Sequence, residues 1–200
     1  TSCGMAAPQF FLALISVSSA VLATDLEINE SQEIAAKRLN EDIEAFLNTN
    51  GIVWVYNTTE NSTVKCRKDS YSNIKSNETS FVRQYVNGTR KFSANYLGAF
   101  YKYETNDAQD GVKYDAMRVF DPSGQEESEE VIEFQNSENT CLVVSVHNFT
   151  NGESKIWREL RLGESSIEEP TEECKNEFEK IVIQTPRRDW RIIYDRDCKE

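Results

Sequence analysis

The hydrophobic positions change period once, and that change organises the chain. Ile34, Leu39, Ile43, Phe46 and Leu47 recur at helical spacing and predict an amphipathic helix over 31–47. Asn29 with Gln32, or Ser31 alone, can cap it, and Glu30 and Glu33 suit the positive end of its dipole. Asn50-Gly51 stops it. From there the period is two. Strands are predicted at 52–57, 63–69, 79–86, 90–103, 112–120, 130–135, 141–147 and 155–161. Turn residues separate them: Asn87-Gly88, Asp110-Gly111, Asp121-Pro122-Ser123-Gly124 and Asn151-Gly152. The acidic run 125–130 reads as a solvated loop. A second helix follows Pro170, capped by Thr171, with Cys174, Phe178, Ile181 and Val182 on one face and Pro186 at its end. Trp190, Ile192 and Tyr194 then alternate as a last strand. Eight short strands in tight succession predict a mainly β fold, an eight-stranded antiparallel up-and-down barrel with a helix on either side of it in sequence.

The termini, asparagines and cysteines place that barrel in a compartment. Residues 1–23 carry no charged side chain, and the apolar run 10–23 ends Val21-Leu22-Ala23, which suits signal peptidase. We expect a signal peptide over 1–23 with Met5 as initiator, one domain over 24–200, and secretion. The run is too short to span a bilayer comfortably, and no later stretch of about 18 apolar residues follows. Six N-x-Ser/Thr sequons begin at Asn29, Asn57, Asn61, Asn77, Asn87 and Asn148. Chance would give about 2.5 in this composition, so we expect a glycosylated surface. Of five cysteines, Cys3 falls in the leader. Cys66, Cys141, Cys174 and Cys198 remain, an even set that reads as two disulfides with three pairings open. Their spacings are too wide for a zinc knuckle.

Charge then removes several functions. Lys plus Arg is 22 against 34 for Asp plus Glu, a net charge of −12. That argues against nucleic acid and against an anionic membrane surface. His147 is the one histidine, which disfavours a His-based metal site, a haem ligand set or a Ser–His–Asp triad. No nucleophile–base pair stands out, so we expect a binding protein with no enzymatic activity, no metal and no cofactor. A hydrophobic content of 38% is enough for a core.

A barrel of eight strands encloses room for one small ligand, and alternation says which residues face it. A glycan on Asn57 must face outward, which turns Trp54 and Tyr56 inward. Lys102 prefers solvent, which turns Tyr101 and Tyr103 inward. Lys113 and Asp115 prefer solvent, which turns Tyr114 inward. Glu130, Ile132 and Phe134 share a parity that suits the lumen.

The order helix, eight strands, helix, strand resembles a lipocalin, and the cysteine pattern with the tail Cys174…Phe178…Tyr194…Cys198 is similar to the tick salivary lipocalins of the histamine-binding family. The similarity covers roughly 31–200. It implies the pairs Cys66–Cys198 and Cys141–Cys174, with the second helix outside the barrel. The lipocalin Gly-x-Trp motif appears as Gly51-Ile52-Val53-Trp54, one residue longer. The family's amine-binding members carry Cys-Asp-aliphatic, a gap, Glu-Leu-aromatic, a gap, then Cys. Here Cys141-Leu142-Val143, fifteen residues, Glu159-Leu160-Arg161, twelve residues and Cys174 keep the spacing. Leu142 stands in place of the Asp and Arg161 in place of the aromatic.

The resemblance implies a scavenger of a biogenic amine such as histamine or serotonin, acting on behalf of a parasite against host defence. A protonated amine in a desolvated barrel needs carboxylates within about 4–6 Å, and aromatic walls add cation–π attraction. Glu159 and Glu130 are the candidate carboxylates, with the lumenal aromatics above and Trp157 completing the set. Arg161 and Leu142 open an alternative, an anionic lipid such as a leukotriene or fatty acid, with Arg161 on its carboxylate and Leu142 in its apolar wall. Arg161 could also pair with Glu159. A further alternative is a module that engages a host protein through its loops, and on any of these readings we expect a monomer. An outward Asn148 would turn Cys141 inward, against a disulfide to an outer helix. Placing Asn148 at the rim resolves this and leaves Leu142 lumenal.

Overall fold

The computed structural model describes residues 41–75, 77–104, 113–149, 154–186 and 188–199. The leader, the helix expectation over 31–40 with its caps, and Asn29 lie outside them. Within them, helix α1 (Ile43–Thr49) carries the C-terminal part of the expected helical run. Glu41 and Asp42 are not helical, because the Asp42 carboxylate takes the N-cap and accepts from Ala45 N at 3.0 Å. Asn50 ends the helix, as expected.

Eight strands follow: β1 (Ile52–Thr58), β2 (Val64–Ser72), β3 (Glu78–Asn87), β4 (Arg90–Tyr101), β5 (Ala116–Phe120), β6 (Glu126–Gln135), β7 (Cys141–Asn148) and β8 (Lys155–Gly163). Each pairs antiparallel with the next. β8 returns to β1 and β1 pairs with β2, so the sheet closes as an eight-stranded barrel. Closure removes the exposed edges an open sheet would leave. The acidic run expected as a loop is instead the start of β6, with Ser128 and Glu130 buried. Alternation there puts one side chain in two inward, where Arg83 and Arg161 neutralise Glu130. The last strand shrinks to β9 (Arg191–Ile192), paired with the end of β1.

One end of the barrel is closed. Ile43, Phe46 and Leu47 of α1 pack on Val53, Phe100, Tyr114 and Leu142. Burying a side chain such as Phe46 contributes roughly 1.5–3 kcal/mol. Asn50 Nδ2 fixes the helix end to the sheet by donating to Phe46 O at 3.0 Å and to Asn139 O at 2.6 Å. Gly163 passes so close that a Cβ there would overlap the Asn50 side chain.

Helix α2 (Glu172–Ile183), capped by Thr171 as expected, lies on the outside. Cys174, Phe178 and Val182 pack against Val143, Leu160 and Leu162. The bonds Cys66–Cys198 and Cys141–Cys174 are the pairs the resemblance implies. The first ties β2 to a 3₁₀ turn (Arg196–Lys199). Among the described residues no helix is long and apolar enough to cross a membrane.

Among the described residues the barrel has four bulges; one falls at Glu127 of β6, between the pairs Val119–Ser128 and Phe120–Glu126, and the other three decide which of the expected side chains look inward. At each, one strand carries an extra residue, so alternation slips by one. In β1 the shift falls at Tyr56: Val53 is inward, Asn57 pairs with the outward Leu160, and Trp54 pairs with the outward Leu162. In β6 it falls at Glu133: Ile132 is inward, and Phe134 lies outward beside Val143. In β2 it falls at Cys66–Arg67, where Cys66 adopts φ 51. That left-handed backbone turns Cys66 towards the C-terminal segment and Arg67 into the lumen.

Candidate functional site

The lumen is filled to different degrees along its axis. Its closed half is the apolar plug just described. Above the plug lies a layer of ionised side chains. Arg161 on β8 reaches Glu159 Oε2 with Nη2 at 2.7 Å and with Nε at 2.8 Å, and bonds Glu130 through Nη1. Arg83 on β3 grips Asp69 with Nε at 2.8 Å and Nη2 at 2.7 Å, and shares Nη2 with Glu130 at 2.8 Å. Arg67 on β2 bonds Glu159 through Nη1 and Glu60 through Nη2 at 2.7 Å. Trp157 Nε1 donates to Glu159 Oε1 at 2.8 Å.

Three arginines thus meet Asp69, Glu130 and Glu159, with Glu60 as a fourth acid at the edge. Burial pushes the Glu159 carboxyl up, but Arg161 and Arg67 outweigh it and hold it at about 2. Glu130 is lowered by the same balance, burial against Arg161 and Arg83. Burial pulls the Arg161 guanidinium down, and Glu130 and Glu159 more than reverse this, so it stays charged. Arginine suits this layer because its planar fork satisfies two carboxylates at once.

The open half holds a cavity of about 870 Å³. Arg67, Arg83 and Trp157 line it, with Tyr85, Tyr96, Val146 and Ile156 on its walls and Glu60, Glu127 and Lys155 nearer the rim. Two donors are left over on its arginines among the described residues. Arg67 Nε is buried without a partner. Arg83 commits Nε and Nη2 and keeps Nη1. Burial and the neighbouring Glu127 raise the Tyr96 phenol to about 12, so it stays neutral.

The residues expected to face the ligand divide into four groups. Glu130, Glu159 and Arg161 come together, as a sealed ion layer. Trp157 lines the cavity. Tyr114 and Leu142 face inward but sit in the apolar plug, Tyr114 against Phe100 with ring centroids 6.4 Å apart. Five others are corrected. Trp54 and Tyr56 lie outside the barrel against Tyr194, with centroids 5.4 and 6.4 Å away. Phe134 packs under α2. Tyr101 lies outward with Ala116 and Val131 and donates to Glu129. Tyr103 follows the end of β4 and is 40% exposed. Trp54, Tyr56 and Phe134 fail because a bulge breaks the alternation. Tyr101 fails because Phe100 takes the inward position and its neighbour Lys102 is tied to Asp115 at 2.6 Å rather than to water. Asn148 is at the rim with Leu142's parity, and His147 faces away from the lumen, with Nε2 3.1 Å from Ser145 Oγ.

Sequence reasoning missed Arg67, Asp69, Arg83, Glu60 and the tyrosines Tyr85 and Tyr96. A signal was present in β3, where Phe81, Arg83 and Tyr85 share one parity, a cation between two aromatics on one face. Arg67 and Asp69 gave less, because the bulge at Cys66 hides their register.

Residues 27–200 match the family model described as tick histamine binding protein. No curated protein sequence matches the chain. Solved structures similar to it include Japanin from Rhipicephalus appendiculatus, bound to cholesterol, at 13% identity and a TM-score of 0.50, covering 74% of this chain and 95% of that one. The siderocalin Ex-FABP, described as having dual ligand specificities, is similar at 11% identity and a TM-score of 0.53, over 74% of this chain and 94% of that one. Both are likenesses of fold.

Proposed function

The chain belongs to the tick histamine-binding protein family of small-ligand-binding lipocalins, and from that premise we propose that it is secreted and sequesters an amphipathic host mediator with an acidic head, such as a fatty acid or leukotriene. The observation that carries this reading is the place of Arg161. Its guanidinium bridges Glu159 and Glu130, where the family resemblance would put an ammonium. The protein supplies its own cation there. The cavity above the layer offers Arg83 Nη1 and Arg67 Nε to an acceptor and the Tyr85, Tyr96 and Val146 walls to an apolar tail. A volume of about 870 Å³ is near the top of the range for drug-sized ligands. A simple amine would leave most of it to water. Japanin, a tick protein of similar fold, is bound to cholesterol, which supports an apolar occupant.

A second reading keeps the amine but moves it to the rim. Glu60 and Glu127 are carboxylates beside the rings of Tyr85 and Tyr96, and together they could hold an ammonium. Calorimetry with arachidonic acid, leukotriene, histamine and serotonin separates the two. The lipid reading expects lipid binding that Arg83→Met weakens by about tenfold or more, the worth of a charged hydrogen bond. Amine binding without lipid binding, or lipid binding indifferent to Arg83, sinks it.

A further inference from the structure

The open end of the barrel is formed by the segments 59–63, 88–89 and 121–125, with residues 149 and 154 and the strand ends beside them. Four sequons begin there, at Asn57, Asn61, Asn87 and Asn148, while Asn77 lies at the closed end, its carbonyl accepting from Phe100 N at 2.9 Å. The four differ in what a glycan would meet. Asn61, Asn87 and Asn148 line the cavity mouth. Asn61 and Asn87 are exposed. Asn87 accepts from Thr63 Oγ1 through Oδ1 at 2.6 Å, which leaves Nδ2, the atom a glycan occupies, uncommitted among the described residues. Asn57 is 3% exposed beside Ile192 of β9, with no room for a sugar.

The three mouth positions are spread around the rim. Asn148 ends β7 and Asn87 ends β3, four strands apart in an eight-stranded ring and so on opposite sides. Asn61 sits between them on the β1–β2 connection. Asn87 and Asn148 share the parity of the inward residues Arg83 and Val146, so their side chains lean over the opening. The rest of the rim, around β4, β5 and β6, has no sequon.

We propose that N-glycans on Asn61, Asn87 and Asn148 form a collar over half the mouth, which admits free small molecules to the cavity and excludes macromolecules. The proposal rests on the secretion reading above. In that pathway Asn Nδ2 bonds to C1 of an oligosaccharide, the C1–O bond to a polyprenyl diphosphate breaks, the diphosphate leaves as the anion and one amide proton is released. The collar follows from where the chain places its acceptors and needs no particular ligand. It would keep the pocket from carrier proteins and antibodies while leaving the β4–β6 side open to a small molecule.

The test uses the full chain secreted from insect cells, with occupancy mapped by mass spectrometry. Asn61, Asn87 and Asn148 should be occupied and Asn57 bare. Access is read from the fluorescence of Trp157 in a Trp190→Phe background, since Trp54 is 1% exposed. Removing the mouth glycans, by Asn61→Gln, Asn87→Gln and Asn148→Gln or by amidase treatment of the folded protein, should leave quenching by acrylamide unchanged. Quenching by a nitroxide coupled to dextran should rise severalfold. A glycan at Asn77 with the mouth positions bare overturns the collar alone. Bare asparagines everywhere on the secreted chain, Asn77 included, overturn the collar, and failure of the full chain to reach the medium overturns secretion and the collar together. Occupied mouth positions with equal dextran quenching in both forms overturn the gating role.

Discussion

Arg161 stands two residues after Glu159 on the same inward face of β8 and holds it with Nε 2.8 Å from Oε2. The two side chains are the centre of the ion layer that divides the plugged half of the barrel from the open half. Buried ion pairs of this kind add little net stability over an apolar filling, but losing one partner is costly. The layer therefore acts mainly as a floor. It fixes the depth a ligand reaches and the charge it meets there.

Arg161→Ala should turn that floor into an amine site. Glu159 keeps Arg67 and Trp157, and Glu130 keeps Arg83, so the loss of stability should fall near the low end of the roughly 3–5 kcal/mol that breaking a buried pair costs. The space left between the two carboxylates fits an ammonium. Urea unfolding should show the loss, and histamine should restore part of it by binding the native state. Arg161→Met, which fills the space, should lose stability without responding to histamine. If histamine leaves Arg161→Ala unchanged, the view of Arg161 as a built-in cation is wrong.

Acid should weaken the fold through the same layer. The folded carboxyl of Glu159 sits at about 2, below its ordinary value of 4.5. A depressed carboxyl contributes stability that is complete above the unfolded value and is lost as pH falls through the folded one. The window is therefore from about 4.5 down to about 2, and the loss from Glu159 is on the order of 3 kcal/mol. Glu130 is lowered and adds in the same direction. Denaturant melts at stepped pH should show wild type losing stability across this window. Glu159→Gln, less stable at neutral pH, should show a shallower slope there.

Gly163→Ala tests how the closed end is held. The added Cβ overlaps the Asn50 side chain, whose amide donates to Phe46 O and Asn139 O. Displacing the Asn50 side chain takes its donor from Asn139 O on the β6–β7 turn, while Phe46 O keeps the Asn50 backbone N–H at 3.0 Å, so the loss should be about 1–3 kcal/mol. Gly98→Ala meets the flexible end of Met117 instead and should cost less. Thermal melts of the two variants should keep that order.

Much of this was legible because each element carries its own local signal. Every strand expected from alternation is present, since β-branched and aromatic residues recur at period two between turn residues. Helix α2 has its Thr171 cap and one apolar face. What could not be read is where alternation slips. Tyr56 and Glu133 look like ordinary strand residues, and a bulge there depends on partners far away in sequence. Trp54 and Phe134 were lost to that slip. The ion layer was hidden for a related reason. Arg67 and Arg83 look like surface cations until β2 and β3 bring them opposite Glu159 and Glu130. The acidic run before Glu130 looked solvated because its inward members meet their counter-ions only in the closed barrel.

The disulfides should differ in what they hold as well as in how much. Their partners are 132 and 33 residues apart. On the chain-entropy account, closing loops of those lengths stabilises by about 5 and about 4 kcal/mol. Cys66–Cys198 also keeps the C-terminal segment against β2. There Cys66 N donates to Ile193 O at 2.8 Å, and Arg191 Nη1 donates to Val64 O at 2.8 Å. These contacts lie beside the cavity mouth. Cys141–Cys174 instead clamps α2 to β7 at the closed end, over a packed apolar face that should hold without it. Cys66→Ala with Cys198→Ala should therefore lower stability more than Cys141→Ala with Cys174→Ala. It should also speed hydrogen exchange at Cys66→Ala and Ile193 and weaken ligand binding. The second pair of substitutions should leave exchange at the mouth unchanged. Equal effects of both pairs on mouth exchange would show that the C-terminal segment is held by its packing, with the Cys66–Cys198 bond adding no local order.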